Sequence, residues 1–423
     1  MKPQNLEEKI VWYYITGTYV LYLLGLQHFL APLLAWGLGF YVCKKLWNQT
    51  DETPEEDKIS IPFGVWVWIV FALAMQVITI VNHLDFDMGL TRIIKSTINF
   101  WAKNWALFAM FPLIGSCLKI RPQLLYRAAS ILGLQSLILT PISTLASRLH
   151  LPQILYTSPL YKVGAAGEVP YSVYLYGSQA DTEEVRLFLF APWAPALALV
   201  GCVYFFLSSK DPDKRWRWIG MISYAVVVFA TASRLGTLVM VVIPAAIWGL
   251  SNLTNPKLQI TAGVFSVFAG YFGQQLVTAL KDVKDSLDAQ RSGSSQVRAM
   301  LARMARDRWQ REAPIWGHGL SDERGPYVVA FKPIGTHHMW FGVLYTHGLV
   351  GFIALATAMS LTLIELLIKA QKSQVAEVGL SVLLVLAAFS IGENLDGLIY
   401  LFWPGMVIIG MAFKEKMPGF YSE

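Results

Sequence analysis

The chain has 423 residues, of which 55% are hydrophobic and only 15% are charged, and its formal net charge is +6. A mean hydropathy of +0.47 is far above that of a soluble domain, so the composition predicts an all-α polytopic membrane protein. The three cysteines lie in apolar segments without paired spacing, which argues against a disulfide framework, a zinc ribbon and redox chemistry. Positive charge in a membrane protein usually records its topology, and we expect no nucleic-acid partner.

Twelve apolar stretches are candidates for membrane-spanning helices, each of which needs about 20 residues to cross the hydrocarbon layer. They lie near residues 9–26, 27–43, 62–83, 99–118, 123–146, 186–207, 217–234, 236–251, 260–280, 339–368, 375–391 and 398–413. Two acidic residues precede the first stretch and no clear cleavage site follows it, so we expect a retained span and not a removed signal peptide. We interpret residues 1–423 as a single integral membrane domain.

The distribution of lysine and arginine predicts the orientation of these spans. If the amino terminus lies inside, the short inner connections contain many basic residues: Lys44, Lys45, Lys58, Lys119, Arg121, Lys210, Lys214, Arg215, Arg217, Lys257, Lys369 and Lys372. The short outer connections are much poorer in such residues, as the positive-inside rule requires. Both termini are therefore predicted to be cytoplasmic.

Two long loops then lie outside the membrane, at residues 147–185 and 281–338. The second loop is rich in arginine, and its segment "SQVRAMLARMARDRWQRE" has the periodicity of an amphipathic helix. The apolar residues fall on one arc of that helix: Val297, Met300, Leu301 and Met304. Arg303 and Arg306 project from the opposite side, and Arg298 lies on the flank. We expect most of these arginines to form a solvated face and one or two to bind an anionic headgroup or a diphosphate.

A single arginine interrupts the apolar stretch 218–250, which is too long for one crossing and too short for two full crossings. A recessed helical hairpin fits this length, with Ser233, Arg234 and Gly236 in the turn and Arg234 facing a cavity below the outer surface. A guanidinium at such depth is costly unless it is paired, so it indicates a functional site. Its fork of donors suits phosphate oxygens, and the alternative is an arginine that merely snorkels to the interface.

Two short motifs follow the basic segment. "PIWGHGL" (Pro314 to Leu320) has glycines suited to a tight turn that lets backbone come close to a ligand. "GTHHMWFGVLYTHGLVG" begins with His337 and His338 at the mouth of an apolar run, and a neutral imidazole suits a general base near pH 7. A metal site is the alternative for the pair. It is disfavoured because adjacent histidines point in different directions and no acidic residue lies at a ligand spacing nearby.

These motifs resemble those of the O-antigen ligase and O-antigen polymerase family of bacterial envelope enzymes, both in their order along the chain and in lying on the same predicted side of the membrane. "SRLG" is similar to the family's Ser-Arg-Gly with an inserted leucine, and the proline-glycine turn matches P-x-x-G-x-G. The family pattern His-[Asn/Ser/Gln]-x9-Gly-x-x-Gly is matched by His337 and His338, then nine residues, and then Gly348 and Gly351. His338 is a departure, because Asn, Ser or Gln is usual there.

The resemblance covers about residues 184–413. Its first part, "EVRLFLFAPWAP" (Glu184 to Pro195), resembles the family's arginine-led approach to the sixth span but lacks the usual asparagine after proline. The amino-terminal half matches only in hydropathy.

The resemblance implies a GT-C-like glycosyltransferase of the bacterial inner membrane that uses neither a metal nor a cofactor. Such enzymes take part in polysaccharide or lipopolysaccharide biosynthesis. They lie among membrane lipids and transfer a glycan from undecaprenyl diphosphate at the outer face of that membrane. The acceptor is a hydroxyl of a second glycan, of the lipid A core or of a protein. By resemblance His337 is the general base, and Arg234, Arg298 and Arg186 bind the diphosphate. Supporting roles fall to five further residues: His338, Glu393 and Asp396 of "GENLDG", Arg303 and Arg306.

A multi-pass transporter of a small solute or anion is the alternative function. A transporter's polar residues should gather at the midplane of the membrane. Here Arg186, Arg234, Arg298 and His337 all fall on the predicted outer side, which favours the transferase.

Overall fold

The structure, a computed structural model, describes residues 1–55, 58–164, 167–178, 185–275, 277, 278, 281, 293–321 and 324–415. The chain is mostly helical, at 73%, which agrees with the predicted all-α class. Residues 179–184 of the first long loop and 282–292 of the second lie outside the described residues, as does the end of the predicted span 260–280.

The elements follow one another along the chain, with two small antiparallel pairs of strands among the helices. They are α1 (Leu6–Thr16), α2 (Thr18–Leu23), α3 (Gln27–Trp47), α4 (Phe63–Asp85), α5 (Leu90–Ser96), a π-helix (Thr97–Trp105), α6 (Leu107–Cys117), α7 (Pro122–Arg148), β1 (Ile154–Thr157), α8 (Tyr161–Gly164), β2 (Ser172–Tyr174), β3 (Gly177–Ser178), β4 (Val185–Arg186), α9 (Ala194–Ser209), α10 (Lys214–Ala230), α11 (Arg234–Leu250), α12 (Pro256–Tyr271), α13 (Gly293–Glu312), α14 (Met339–Lys369), α15 (Gln374–Phe389) and α16 (Ile399–Lys414). Strand β1 pairs with β2, and β3 pairs with β4.

Five helical segments of the described chain are long and apolar enough to cross a membrane: α3, α4, α7, α14 and Asp396–Lys414, which contains α16. Four apolar helices are shorter: α6, α9, α11 and α15. Their composition and length indicate an integral membrane protein. The total of twelve crossings stays a prediction.

Two predicted spans are divided in the structure. The stretch 9–26 forms α1 and α2, which are separated at Gly17, and the stretch 99–118 forms part of the π-helix and then α6. A third span, 339–368, is one long helix with a break, because Gly348 has non-helical backbone angles (φ 64°, ψ −164°).

The predicted span 186–207 begins later than expected, at Ala194. Trp193 is extended (φ −159°), and Pro195 occupies the first turn of α9, where its missing N–H leaves no helical hydrogen bond unmade. Arg186 therefore lies on strand β4, which pairs with β3, and not on the helix.

The predicted helical hairpin is present, with α10 ending at Ala230 and α11 beginning at Arg234. Arg234 and Gly236 belong to α11 and not to the turn, because Ser233 Oγ caps the helix by accepting from Gly236 N–H at 3.2 Å. Each helix has 17 residues, or about 26 Å, which is shorter than the hydrocarbon layer and agrees with a recessed hairpin. Arg234 itself is exposed and not enclosed.

Helix α16 is the centre of the bundle, with 89% of its apolar window buried. Glycines allow close approach to α6: a Cβ on Gly410 would overlap the Pro112 carbonyl, and one on Gly115 would overlap the Val407 carbonyl. Small residues are the usual means of close helix packing in membranes, where expelling water contributes little.

The two ends of the bundle differ in chemistry. Four ion pairs join the predicted inner connections: Lys45–Glu7, Arg121–Glu8, Arg127–Asp211 and Lys210–Glu377, all at 2.7 to 2.8 Å. The described parts of both long loops meet the opposite helix ends, where Ser158 packs on Gly25 and Asn82 of α4 donates to Trp316 O at 3.4 Å. The alternation of connections between the two sides of a membrane stays a prediction. Which end faces the cytoplasm stays a prediction.

Candidate active site

The break in α14 at Gly348 packs against the proline-glycine turn (Pro314 to Leu320), and we call this contact the joint. At the break, Gly319 N donates to Thr346 O at 2.8 Å, and on its other side Leu349 N donates to Pro314 O at 3.0 Å. A Cβ on Gly317 (φ 76°) would lie 2.5 Å from the backbone nitrogen of Gly348. The glycines were predicted to bring backbone close to a ligand. They bring it close to α14 instead, because the broken helix leaves backbone groups that the turn satisfies.

Helix α13 packs against this joint through the face that its periodicity predicts. Leu301 and Ala305 are buried at 0% and 2% exposure and pack with Tyr345 of α14. Arg303 and Arg306 are exposed, as expected for a solvated face, whereas Arg298 is half-buried.

Arg298 reaches the loop that follows α15. Its Nη2 donates to Glu393 Oε1 at 3.3 Å, and Trp193 Nε1, at the start of α9, donates to Glu393 Oε2 at 3.0 Å. Arg298 Nε is buried and has no hydrogen-bond partner in the described part of the chain. Burial raises the pKa of Glu393, and the nearby Arg298 and the Trp193 hydrogen bond act in the opposite direction. Trp193 and Arg298, from two distant segments of the chain, thus meet at the Glu393 carboxylate, which is 200 residues from Trp193 in sequence and 95 from Arg298.

The helical hairpin α10–α11 adjoins the same loop, which follows α15. A Cβ on Gly392 would lie 3.7 Å from Leu235 Cδ2 and 3.9 Å from Arg298 Nη1. Leu235 follows Arg234 in the first turn of α11, so the first turn of α11 and the α13 flank adjoin the same loop. Arg186 lies on β4, seven residues before Trp193.

His337 and His338 lie immediately before α14 and differ in their roles. His338 is the N-cap: its Nδ1 accepts from Phe341 N at 3.4 Å, and its own N–H donates to Asn394 Oδ1 at 3.2 Å. Asn394 Nδ2 also donates to Gly335 O at 3.3 Å. Asn, Ser and Gln offer a comparable side-chain acceptor, which explains how histidine serves at a position where the family pattern has these residues.

His337 adopts a left-handed backbone (φ 62°), which non-glycine residues rarely do unless the surroundings enforce it. The Asn394 bridge between Gly335 and His338 spans this residue and provides such enforcement. Burial, together with the positive charges of Lys332 and Arg298, lowers the pKa of His337 to about 4. The imidazole is therefore neutral at pH 7 and able to accept a proton.

Asp396 lies on the other side of this bridge. Together with Asn394, Gly335, Met339 and His347 it lines a small cavity of about 100 Å³ beneath the joint. The described residues contain no group of three or more His, Cys, Asp or Glu side chains placed to bind a metal ion.

Sequence reasoning missed three neighbours of the predicted site: Trp193, Lys332 and Asn394. Trp193 and Asn394 stand inside the quoted segments "APWAP" and "GENLDG", and Lys332 is one of many basic residues of the second loop. Their contacts join separate segments, and no spacing within one segment could have singled them out.

Comparison with known families adds an independent finding. Residues 219–356 match the family model described as O-antigen ligase. About a third of the chain is thus similar to the O-antigen ligase family. The match includes most of the hairpin α10–α11, all of α13, the joint and the histidine pair, whereas Trp193 and Glu393 lie outside it. No curated protein matches the chain.

The match supports an integral membrane protein with glycosyltransferase-like activity. It also supports a lipid-linked glycan and a polysaccharide as partners. The structure adds the arrangement of side chains around Glu393 and His337.

Proposed function

We propose that this protein, which is similar to the O-antigen ligase family over residues 219–356, transfers a glycan from undecaprenyl diphosphate to an acceptor hydroxyl, without a metal or a cofactor, at the outer face of the bacterial inner membrane. The observation that supports the proposal best is the meeting of Arg298, Glu393 and Trp193 beside a neutral histidine. The acceptor hydroxyl belongs to a second glycan, to the lipid A core or to a protein.

Arginine would stabilise the diphosphate in this reaction. Diphosphate is a good leaving group, so the reaction needs charge stabilisation at phosphate more than protonation of the leaving oxygen. Arg298 has one nitrogen on Glu393, so its guanidinium is oriented, and its side chain is still 36% exposed, which leaves it accessible to a ligand. Arg234 begins α11 beside the same loop, and Arg186 is proposed as a third contact.

His337 would act as the general base. The acceptor oxygen attacks the anomeric carbon, the bond from that carbon to the diphosphate oxygen breaks with its electron pair, and His337 takes the hydroxyl proton. Lys332 and Arg298 lower the pKa of His337 before the donor binds. A bound diphosphate would offset those positive charges and raise that pKa, so the base becomes stronger when the donor is present.

Substitution within α13 tests the arginine assignment. Arg298→Lys keeps the charge but cannot supply two directed donors, so transfer should fall by about 100-fold or more, a loss comparable with removing one transition-state donor. Arg311→Lys is the matched control, because Arg311 is exposed on the same helix, and it should retain nearly full activity.

The assay is transfer from a purified undecaprenyl-diphosphate-linked glycan by protein in detergent. Equal activity of the two variants would remove Arg298 from the proposed mechanism. Loss of activity in both would indicate that α13 tolerates no substitution, and Arg298 would then need another explanation.

A further inference from the structure

A second pocket lies at the end of the bundle far from His337. Its volume is about 680 Å³, and it is formed where α9, α10, α11, α14 and α15 begin or end. Helix α14 runs from the candidate active site to this pocket and has 31 residues, or roughly 46 Å of helix. We call it the distal pocket, and it is separate from the site described above.

Positive charge predominates in the distal pocket. Four basic residues line it, Lys210, Lys214, Arg217 and Lys372, against one acidic residue, Glu377. Lys210 pairs with Glu377 at 2.8 Å, and Arg217 Nε donates to a backbone carbonyl at 2.9 Å. Lys214 and Lys372 are exposed and form no ion pair within the described part of the chain. The pocket therefore has uncompensated positive charge for an anion.

Two helices begin at the pocket, α10 at Lys214 and α15 at Gln374. Each already has a side-chain cap, because Asp213 Oδ1 accepts from Arg215 N–H at 2.8 Å and Ser373 Oγ accepts from Ala376 N–H at 3.3 Å. The attraction for an anion therefore comes from the basic side chains. The carboxyl end of α11 also borders the pocket, but Gln371 Nε2 satisfies its Leu250 carbonyl at 2.7 Å.

Two buried polar atoms in the pocket lack partners. Ser251 Oγ and Gln371 Oε1 are buried and make no hydrogen bond within the described part of the chain. Because Gln371 Nε2 is already engaged with carbonyls, Oε1 can only accept, so a hydroxyl or another donor would satisfy it. A plain phosphate ion would leave this acceptor unsatisfied.

The rim of the pocket is apolar and exposed. Trp218 and Trp248 are 53% and 65% exposed, and Met221, Pro244 and Ile247 continue the surface inward. Tryptophan is enriched where a membrane protein meets the lipid headgroups. These side chains offer a surface for acyl chains directly beside the basic residues.

We propose that the distal pocket binds an anionic glycerophospholipid with a hydroxylated headgroup, of the phosphatidylglycerol type. The phosphate lies between Lys214 and Lys372, the headgroup hydroxyl reaches Gln371 Oε1 and Ser251 Oγ, and the acyl chains pack on the tryptophans. By the predicted orientation this lipid belongs to the cytoplasmic leaflet.

Native mass spectrometry of the delipidated full chain in detergent tests the proposal. Dioleoyl phosphatidylglycerol should bind at least tenfold more tightly than dioleoyl phosphatidylcholine. The variant Lys214→Glu/Lys372→Glu should lose about tenfold or more of the affinity for phosphatidylglycerol, since each lysine near an anionic headgroup contributes substantially. Lys214→Gln/Lys372→Gln, which only neutralises the charges, should show a smaller loss in the same direction.

The matched control is Lys9→Glu/Lys257→Glu, which makes the same charge change at two exposed lysines that do not line the pocket. It should bind within twofold of the unmodified protein. Equal losses in the control and the pocket variant would overturn the site and leave a general charge effect. Displacement of the lipid by millimolar glycerol phosphate or inorganic phosphate would also overturn the proposal, because a soluble anion would then be the ligand.

Discussion

Replacing His337 should separate its chemical role from its backbone role. Because the residue is left-handed (φ 62°), alanine there would add strain, whereas asparagine adopts this region readily. His337→Asn should therefore fold and bind the lipid diphosphate, while transfer falls by about 10² to 10⁴, the usual contribution of a general base. His338→Asn is the paired control, because asparagine caps helices well, and it should be mild.

The pH dependence gives this prediction a quantitative form. With the pKa of His337 near 4, protonation removes the base only at low pH, so the rate falls as pH decreases through that value. At pH 5 a base with a pKa of about 4 is still roughly 90% neutral, whereas one at about 6.5 is only about 3% neutral. The kcat/KM of the free enzyme should therefore be nearly flat from pH 8 to pH 5.

The value of kcat should behave differently, because it reports the complex with the donor. The bound diphosphate offsets the charges of Lys332 and Arg298, so the acid limb of kcat should lie at higher pH than that of kcat/KM. Transfer rates from pH 4 to 8 for the wild type and both histidine variants measure this. An active His337→Asn, an inactive His338→Asn, or a roughly 30-fold loss of kcat/KM at pH 5 would refute the reasoning.

Three further predictions concern the joint, the metal and the topology. Gly317→Ala should lower the melting temperature, because Gly317 has a positive φ and the new Cβ would overlap the backbone of α14. The control Gly37→Ala should be neutral or stabilising, because no atom lies within 4 Å of the new Cβ. Equal melting temperatures of the two variants would contradict the close packing at the joint. Transfer should continue at a similar rate with excess chelator, since arginines stabilise the charge, and a loss restored by magnesium, manganese or zinc would contradict this. In a cysteine-free background, Gln310→Cys should react with an impermeant maleimide from outside and Gln374→Cys should not, and the reverse pattern would invert the topology.

Local patterns predicted many of the helices and the buried and exposed faces of α13 well. The hairpin around Arg234, the buried face of α13 and the half-buried flank position of Arg298 all follow from hydrophobic periodicity, which depends only on neighbours in sequence. The late start of α9 was missed because hydropathy does not register the extended Trp193 and the proline that follows.

The partners of the site could not be predicted, because they come from distant segments. Glu393 was expected to have a supporting role, but its pairing with Arg298 and Trp193 in the structure had no signal in the sequence. Asn394, which spans the backbone of His337, had no signal beyond its place in "GENLDG". Such contacts depend on how α9, α13 and α15 pack, and a single sequence contains no record of that packing. The roles of the site residues stay predictions.

The nine residues between His338 and Gly348 set the distance and the angle between the two ends of this motif. They make two and a half turns of helix, about 13.5 Å, with the joint at one end and the proposed base just beyond the other. Inserting or deleting one residue would move His337 along the helix axis by only about 1.5 Å but would swing it around that axis by about 100°. The imidazole would then face away from Arg298 while every residue of the motif was still present. The number of residues between the motifs is therefore as much a part of the proposed active site as their identity.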